Sequence, residues 1–402
     1  MTQVVIVGAG PGGATLALLL VKRGITVKLI EVSRNFRRIF RGEGLMPSGL
    51  DALEQMGLSS IVNKIPHRAL DRWEFIIENK QLFKVEEPIE FGSKPCTLVS
   101  QPAFLEAVIE EAKSYNNFEF IQGISVQDLL WEGDRVSGVK LSDERLLNSD
   151  LVIGTDGRNS IVRQRGNLKI EEQSHNFDIL WFKLADSPAF KSENIFYSIA
   201  QGGNTFGLFR SSEGNIQVGW ALHKNMLVDW KQIDNWSEIL ASASPPWLGE
   251  HFRKYAETIE RPVLLSVVVG RCLQWYKPGV IVLGDAAHPM SPIRAQGINM
   301  ALRDVIVAAN YLVPVLVSES VKHRDIDEVL PRIQAEREPE IIKVQKLQNE
   351  ESAQGEKLAK SSLLRWVLSK FAPVMSAGVR FSWLRRQRQL RQGVTEIKLT
   401  CL

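Results

Sequence analysis

The stretch Val4-Val5-Ile6-Val7-Gly8-Ala9-Gly10-Pro11-Gly12-Gly13 decides the fold, together with the helical run Ala14 to Lys22 and the segment Thr26 to Glu31 behind it. Four apolar residues in a row read as a strand buried on both faces of a parallel sheet. The glycine loop opens a helix ended by Gly24, and a second strand finishes at Glu31, so the unit is βαβ with GxGxxG at its first turn. Gly8 permits the tight turn, Gly10 lets backbone approach a pyrophosphate, and Gly13 lets helix and strand pack closely. The helix N-terminus, with Pro11 at its start, offers amide donors and partial positive charge. Glu31 stands where a carboxylate accepts hydrogen bonds from an adenosine ribose, and a 2'-phosphate would call for arginine or a small residue there. The loop therefore predicts an unphosphorylated dinucleotide, FAD or NAD.

An apolar strand followed by a Gly/Asp turn recurs at Asp150 to Gly157 and at Val280 to Asp285, each ahead of a helix candidate. From about Ile179 to Val269 the pattern changes to short alternating stretches such as Ile195 to Ile199, Thr205 to Phe209 and Ile216 to Ala221, which predicts an antiparallel sheet that Trp73 to Thr97 joins. The expected fold class is α/β: a GxGxxG Rossmann-like FAD-binding domain with an inserted, mainly antiparallel β substrate domain and C-terminal helices. The expected boundaries are 1–72, 98–178 and 270–321 for the nucleotide domain, 73–97 and 179–269 for the insertion, and 322–402 for the helical region.

Composition narrows the classes further. With 44% hydrophobic and 24% charged residues the chain is globular, which excludes disorder, collagen and coiled-coil rods. Cys96, Cys272 and Cys401 form no CxxC pair, which speaks against a zinc site or disulfide framework and for a reducing, cytoplasmic setting. The first residues enter a strand directly, without the parts of a signal peptide, so export is not expected. Val305 to Val317 is interrupted by Asn310 and Pro314, short of the roughly 18 apolar residues of a membrane span. Residues 361 to 402 carry eight cations (Arg365, Lys370, Arg380, Arg385, Arg386, Arg388, Arg391, Lys398) against Glu396, interleaved with apolar residues. That pattern predicts amphipathic helices docked on their own protein, with peripheral membrane contact as the alternative and no nucleic-acid partner.

The glycine loop, the block Gly154-Thr155-Asp156-Gly157-Arg158 and the block Gly284-Asp285-Ala286-Ala287-His288-Pro289, in this order, resemble the class A flavoprotein monooxygenases of the p-hydroxybenzoate hydroxylase type, over about Val4 to Asp304. The resemblance implies FAD as cofactor and NAD(P)H as co-substrate. It implies that Asp285 binds the ribityl chain, that Arg41 and Gln101 contact FAD, and that Asp156 and Arg158 serve FAD and NAD(P)H. Gly297, Ile298 and Asn299 would open a helix whose amides face the pyrimidine edge of the flavin, and Pro292 would lie over the oxygen-reactive face. Each position also has a plainer reading: Asp285 and Asp156 as helix caps, Arg41 paired with Glu43, Gln101 as a turn residue, and His288 as a structural hydrogen-bonder rather than a proton shuttle.

The implied reaction takes hydride from NAD(P)H, forms a flavin C4a-hydroperoxide with O2, and delivers one oxygen to an aromatic or other apolar unsaturated small molecule. The flavin would do the chemistry, so no nucleophilic side chain is expected. Tyr197, Phe206, Arg210 and Trp220 are the candidate substrate contacts from the inserted sheet, and His223 is a further guess for a substrate base. The resemblance is compatible with a monomer or homodimer. Competing readings are a reductase of isoprenoid double bonds, a flavin halogenase, whose WxWxIP stretch is missing at Trp220-Ala-Leu-His, and a non-enzymatic flavin-binding partner protein.

Overall fold

The computed structural model describes residues 3–36, 43–173, 177–186, 190–223 and 230–401. The quoted stretch folds as strand Gln3–Val7, helix Pro11–Val21 and strand Thr26–Glu31. A six-stranded sheet runs in the order Tyr276–Lys277, Val280–Val282, Leu151–Gly154, Gln3–Val7, Thr26–Glu31, Phe118–Gln122, parallel except at the Tyr276–Lys277 edge. Val4, Val5, Ile6, Leu151, Val152, Ile153, Val280 and Ile281 have no solvent exposure, as expected for strands covered on both faces. A meander of Val126–Glu132, Arg135–Leu141 and Leu146–Asn148, unforeseen in the sequence, lies between helix Gln101–Lys113 and strand Leu151–Gly154 along the chain.

A second sheet of seven strands runs in the order Val263–Leu265, Phe177–Leu184, Ile216–His223, Asn204–Arg210, Ile195–Gln201, Arg72–Ile77, Lys80–Glu86. Its pairs are antiparallel except Ile195–Gln201 with Arg72–Ile77, where the two sequence-distant pieces join. One face is covered by helices Trp236–Ser242 and Pro246–Lys254 through Phe182, Leu208, Val218, Leu240, Leu248 and Phe252.

Helix Gln296–Leu316 runs through both Asn310 and Pro314, which interrupt the apolar run and leave the helix continuous. Its length and apolar composition match a membrane span, but 67% of the apolar window is buried inside the protein, so it serves as a core helix. Pro314 sits in the last turn, where few hydrogen bonds depend on it, and the Asn310 side chain ties the helix to the backbone at Lys398 and Thr400. The C-terminal region forms helices His323–Lys360, Ser362–Lys370 and Ala372–Gln392, after which residues 393–401 pack back with Ile397 and Leu399 in the main core. The inner face of the last two helices, Leu368, Ala372 and Trp383, is buried against Met46, Trp73, Phe83 and Phe209.

Candidate functional site

A cavity of about 1030 Å³ extends from the glycine loop to the free face of the second sheet. Gly10, Pro11 and Gly12, residues 155–159, Leu283, Gly284 and Asp285, and then Pro292, Gly297 and Ile298 line it on the nucleotide side. Trp73, Phe75, Phe83, Trp181, Phe196 and Phe209 line the sheet side, and Leu364, Leu368, Val379, Trp383 and Arg386 of the C-terminal helices form a third wall.

The glycine loop is built as its spacing predicts. Gly8 has φ +99°, and a Cβ there would lie 2.6 Å from the Thr155 carbonyl oxygen, while one at Gly13 would lie 2.0 Å from that of Gly8. Gly10 differs: a Cβ would meet nothing within 4 Å, because the position faces the cavity at the first turn of helix Pro11–Val21. That open cradle at a helix N-terminus fits a pyrophosphate. Glu31 is buried and accepts from the Ala9 amide at 2.9 Å and the Ser33 amide at 2.9 Å, so its carboxylate orders the loop at the end of the second strand. Gln101 lines the cavity with Oε1 buried and unpartnered among the described residues, a free acceptor that a polyol hydroxyl would satisfy. Asp285 lines the cavity too, and a Cβ at Gly297 would stand 3.4 Å from Asp285 Oδ1, so the Gly-Asp turn and the start of helix Gln296–Leu316 meet there. An open cradle, an orphaned acceptor and a carboxylate beside a helix start form a donor and acceptor set that fits FAD.

Other predicted positions are corrected or fall outside. Arg41 lies outside the described residues. Asn299 does not line the cavity: its side chain accepts from the Met46 amide at 2.9 Å and donates to the Gly44 and Ala295 carbonyls, clamping a strand to the helix start. Asp156 lines the cavity, while its carboxylate accepts from Ser160 Oγ and from the Ile161 and Val162 amides at the start of helix Ile161–Arg165. Burial pushes this carboxyl up against the lowering effect of those bonds. Arg158 lines the cavity while donating to the Ser266 carbonyl at 2.6 Å.

His288 has no exposure and does not line the cavity, which answers the proton-shuttle reading in favour of structure. Its Nε2 lies 2.7 Å from Asp304 Oδ2, and Asp304 also accepts from the Gly284 amide at 2.9 Å and from Arg337 Nε at 2.7 Å. Arg337 pairs with Glu340, which takes a two-pronged bond from Arg303. Burial alone would raise the Asp304 carboxyl, but His288 and Arg337 outweigh it and hold it at about 2. Glu340 is likewise raised by burial and brought down to about 2 by Arg337 and Arg303. This buried network behind the cavity wall was invisible in sequence, since it joins the turn at Gly284 and His288 to side chains on two successive helices, Gln296–Leu316 and His323–Lys360, that meet only in the fold.

On the sheet side, alternation decides which side chains face the cavity. Trp73, Phe75 and Ile77, then Phe196, Ser198 and Ala200, then Thr205, Gly207 and Phe209, then Gly219, Ala221 and His223 all line it. The register pairs Phe75 with Ser198, Ser198 with Gly207, Gly207 with Gly219 and Gly219 with Trp181, one continuous row. Tyr197, Arg210 and Trp220 are therefore corrected. Tyr197 packs on Trp247 at 5.3 Å, Arg210 pairs with Asp186 at 2.7 Å, and Trp220 belongs to the helix-covered layer. Phe206 reaches the cavity edge, although its register places the ring with Trp220 in that opposite layer. Sequence reasoning missed Glu43 as a wall residue. It accepts from the Ser212 amide and hydroxyl and from Gln217, and burial, the leading influence, raises its carboxyl.

Comparisons with known proteins agree with this construction. The FAD binding domain family model matches residues 1–328. The 6-methylpretetramide 4-monooxygenase of Streptomyces rimosus is 31% identical over 362 residues, covering 86% of this chain and 82% of that one. The p-hydroxybenzoate hydroxylase of Acinetobacter baylyi is 24% identical, covering 78% and 77%. Among solved structures, PqsL, a probable FAD-dependent monooxygenase from Pseudomonas aeruginosa, superposes with TM-score 0.76 at 20% identity over 89% of this chain and 97% of that one, a likeness of fold. These relatives are oxygenases, which favours oxygenation over double-bond reduction, halogenation or passive flavin binding. With the FAD-fitting cavity and the family match over most of its length, the chain belongs to the class A FAD-dependent aromatic monooxygenases.

Proposed function

We propose that the protein uses NAD(P)H and O2 to place one oxygen atom on an aromatic small molecule bound against the second sheet. Residues 73–97 and 179–269 form the substrate domain on this reading, inserted into an FAD-binding domain of 1–72, 98–178 and 270–321. The observation that carries it is the single cavity in which the glycine loop and Gly-Asp turn share walls with Trp73, Phe75, Trp181, Phe196 and Phe209. The names of two relatives, which act on 6-methylpretetramide and p-hydroxybenzoate, point to aromatic substrates as well.

When bound, FAD supplies hydride acceptance and oxygen activation, and the chain's own residues bind, orient and exclude water. The Gly10 and Pro11 cradle would receive the pyrophosphate, Glu31 the adenosine ribose, and Asp285 with Gln101 the ribityl hydroxyls. Gly297 and Ile298 would offer helix-start amides to the flavin, Pro292 would stand beside it, and Asp156 with Arg158 would serve NAD(P)H. The aromatic rows stack the substrate and keep the reacting region dry. The test is substrate-stimulated NAD(P)H oxidation by the flavin-loaded protein across a panel of phenols and hydroxybenzoates, with mass spectrometry for a gain of one oxygen. A flavin that dithionite reduces but NADH and NADPH leave oxidised, with and without every substrate, overturns the reading.

The outer face of the last two helices supports a peripheral contact with anionic lipid. Leu363, Trp366, Phe371, Val374 and Phe381 are exposed beside exposed Lys370, Arg380, Arg385 and Arg388. Cosedimentation with phosphatidylserine vesicles, absent with phosphatidylcholine alone, checks it.

A further inference from the structure

The turn that leads into helix Gln296–Leu316 holds two successive non-glycine residues in the left-handed region, Arg294 at φ 57° and Ala295 at φ 50°. Glycine adopts this conformation without penalty and arginine does not, so an arginine kept there has work for its side chain. The guanidinium carbon lies 4.9 Å from the centroid of the Trp73 ring, 5.8 Å from Phe75 and 5.3 Å from Trp383. Nε donates to Glu351 Oε1 at 2.7 Å and Nη2 to the same oxygen, while Gln387 donates to Glu351 Oε2 at 3.0 Å. The ion pair uses Nε and Nη2, so Nη1 stands outside it.

All of these groups except Gln387 line the cavity, and Arg386 and Lys357 line the same wall. Arg386 Nε is buried with no hydrogen-bond partner among the described residues. Arg386 donates through Nη1 to Ser382 and through Nη2 to Gln354, and of these cations only Arg294 reaches Glu351, so the cations share a cavity with the rings of Trp73, Phe75 and Trp383, Arg294 standing two residues along the chain from Pro292. A fixed guanidinium framed by flat apolar surfaces suits a flat ring carrying an ionised oxygen: the rings take the face and the cation takes the charge.

We propose that Arg294, assisted by Arg386, is an anion-reading subsite that selects planar aromatic substrates bearing an ionised oxygen, a phenolate, enolate or carboxylate, and fixes their orientation. This rests on the aromatic-substrate reading above. Arg294 acts as a specificity-determining residue. Glu351 positions it by accepting from Nε and Nη2.

The experiment titrates the FAD-loaded protein at pH 8 with 1-hydroxy-2-naphthoate and with its methyl ester, followed through the flavin absorbance. The wild type should bind the acid more tightly than the ester. Arg294→Gly relieves the left-handed strain while removing the cation, so it should keep its flavin and its Tm, weaken the acid more than tenfold and leave the ester within about twofold. Arg386→Gln should weaken the acid less and in the same direction. Glu351→Gln, which removes the competing charge but keeps a hydrogen-bond acceptor, should leave acid binding equal or tighter. Equal weakening of acid and ester in Arg294→Gly with a lowered Tm would identify a purely structural strut and overturn the proposal. So would unchanged acid binding, or failure of the wild type to bind either probe. A protein that takes up no FAD sinks the functional reading itself, whereas full flavin without acid–ester discrimination sinks only the subsite.

Discussion

Replacing Gly10 with alanine separates cofactor binding from folding. The residue sits at φ −71° and ψ −179°, a conformation open to alanine, and the added methyl meets no atom within 4 Å. Alanine gains about 0.4–1 kcal/mol by restricting the unfolded chain and loses a few tenths as a poorer N-cap, so stability without FAD should be nearly unchanged. The same methyl occupies the space where a pyrophosphate must approach the helix N-terminus. Losing about two charge-assisted amide bonds at roughly 1.5–3 kcal/mol each removes about 3–6 kcal/mol, or about 10²- to 10⁴-fold in Kd for FAD. Apoprotein is titrated with FAD by fluorescence quenching, and its thermal melt is recorded alongside. Gly13→Ala is the contrast: its Cβ would lie 2.0 Å from the Gly8 carbonyl oxygen, so this variant should lose Tm before any cofactor is added. A Gly10→Ala protein that keeps stoichiometric FAD with the parental Kd refutes the assignment of the loop.

Asp285→Ala should weaken FAD about 10- to 100-fold through lost hydrogen bonds to the ribityl chain, read in the same titration. Gln101→Leu should act with opposite signs on the two states, since it removes a buried unpaired acceptor from the apoprotein and a partner from the holoprotein: apo Tm rises while FAD affinity falls. Asp304 and Glu340 are both held at about 2, below their ordinary 3.8 and 4.5, so their stabilisation is complete above those ordinary values and is lost as pH falls through about 2. A urea midpoint unchanged from pH 5 to 2.5 would contradict this. Asp304→Asn, which leaves Arg337 buried against half its partners, should cost about 3–5 kcal/mol in the same measurement at pH 7.

What the sequence reveals follows the range over which each force acts. The unit from Gln3 to Glu31 is legible because loop, helix start and both strands are local, and three glycines with one carboxylate leave few other structures. The second sheet is legible as strands but not as faces. Both of its sides are apolar, one against helices and one against the cavity, so alternation alone could not choose Phe196 over Tyr197, or Gly219 over Trp220. Asp156 carries both of its readings at once: its carboxylate takes the Ile161 and Val162 amides at a helix start, and the residue still lines the cavity, so sequence alone could not separate cap from wall. Trp383 and Arg386 reach the cavity from the far end of the chain, a contact that no local pattern announces.

The walls of the cavity divide their tasks by the kind of atom they present. The nucleotide side offers mostly backbone, at Gly10, Gly12, Gly284 and Gly297, where side chains would obstruct. The sheet and C-terminal helices offer side chains, from Trp73 to Arg386, which can change without touching the cofactor cradle. Both sides meet at the turn Pro292 to Ala295, and that turn is held from three directions. Asn299 bonds the Ala295 carbonyl, Gln348 bonds the Ser291 and Ile293 carbonyls, and Glu351 takes Arg294. Behind it, Asp304 binds the Gly284 amide and Arg337 at once, tying the cofactor turn to the same long helix, His323–Lys360, that carries Gln348 and Glu351. A rigid helix anchored at both places fixes the distance between the Gly284–Asp285 turn and the aromatic wall of the cavity. Substitutions within the Asp304–Arg337–Glu340 network should therefore shift product regiochemistry or uncouple NAD(P)H oxidation from oxygenation even where the flavin stays fully bound.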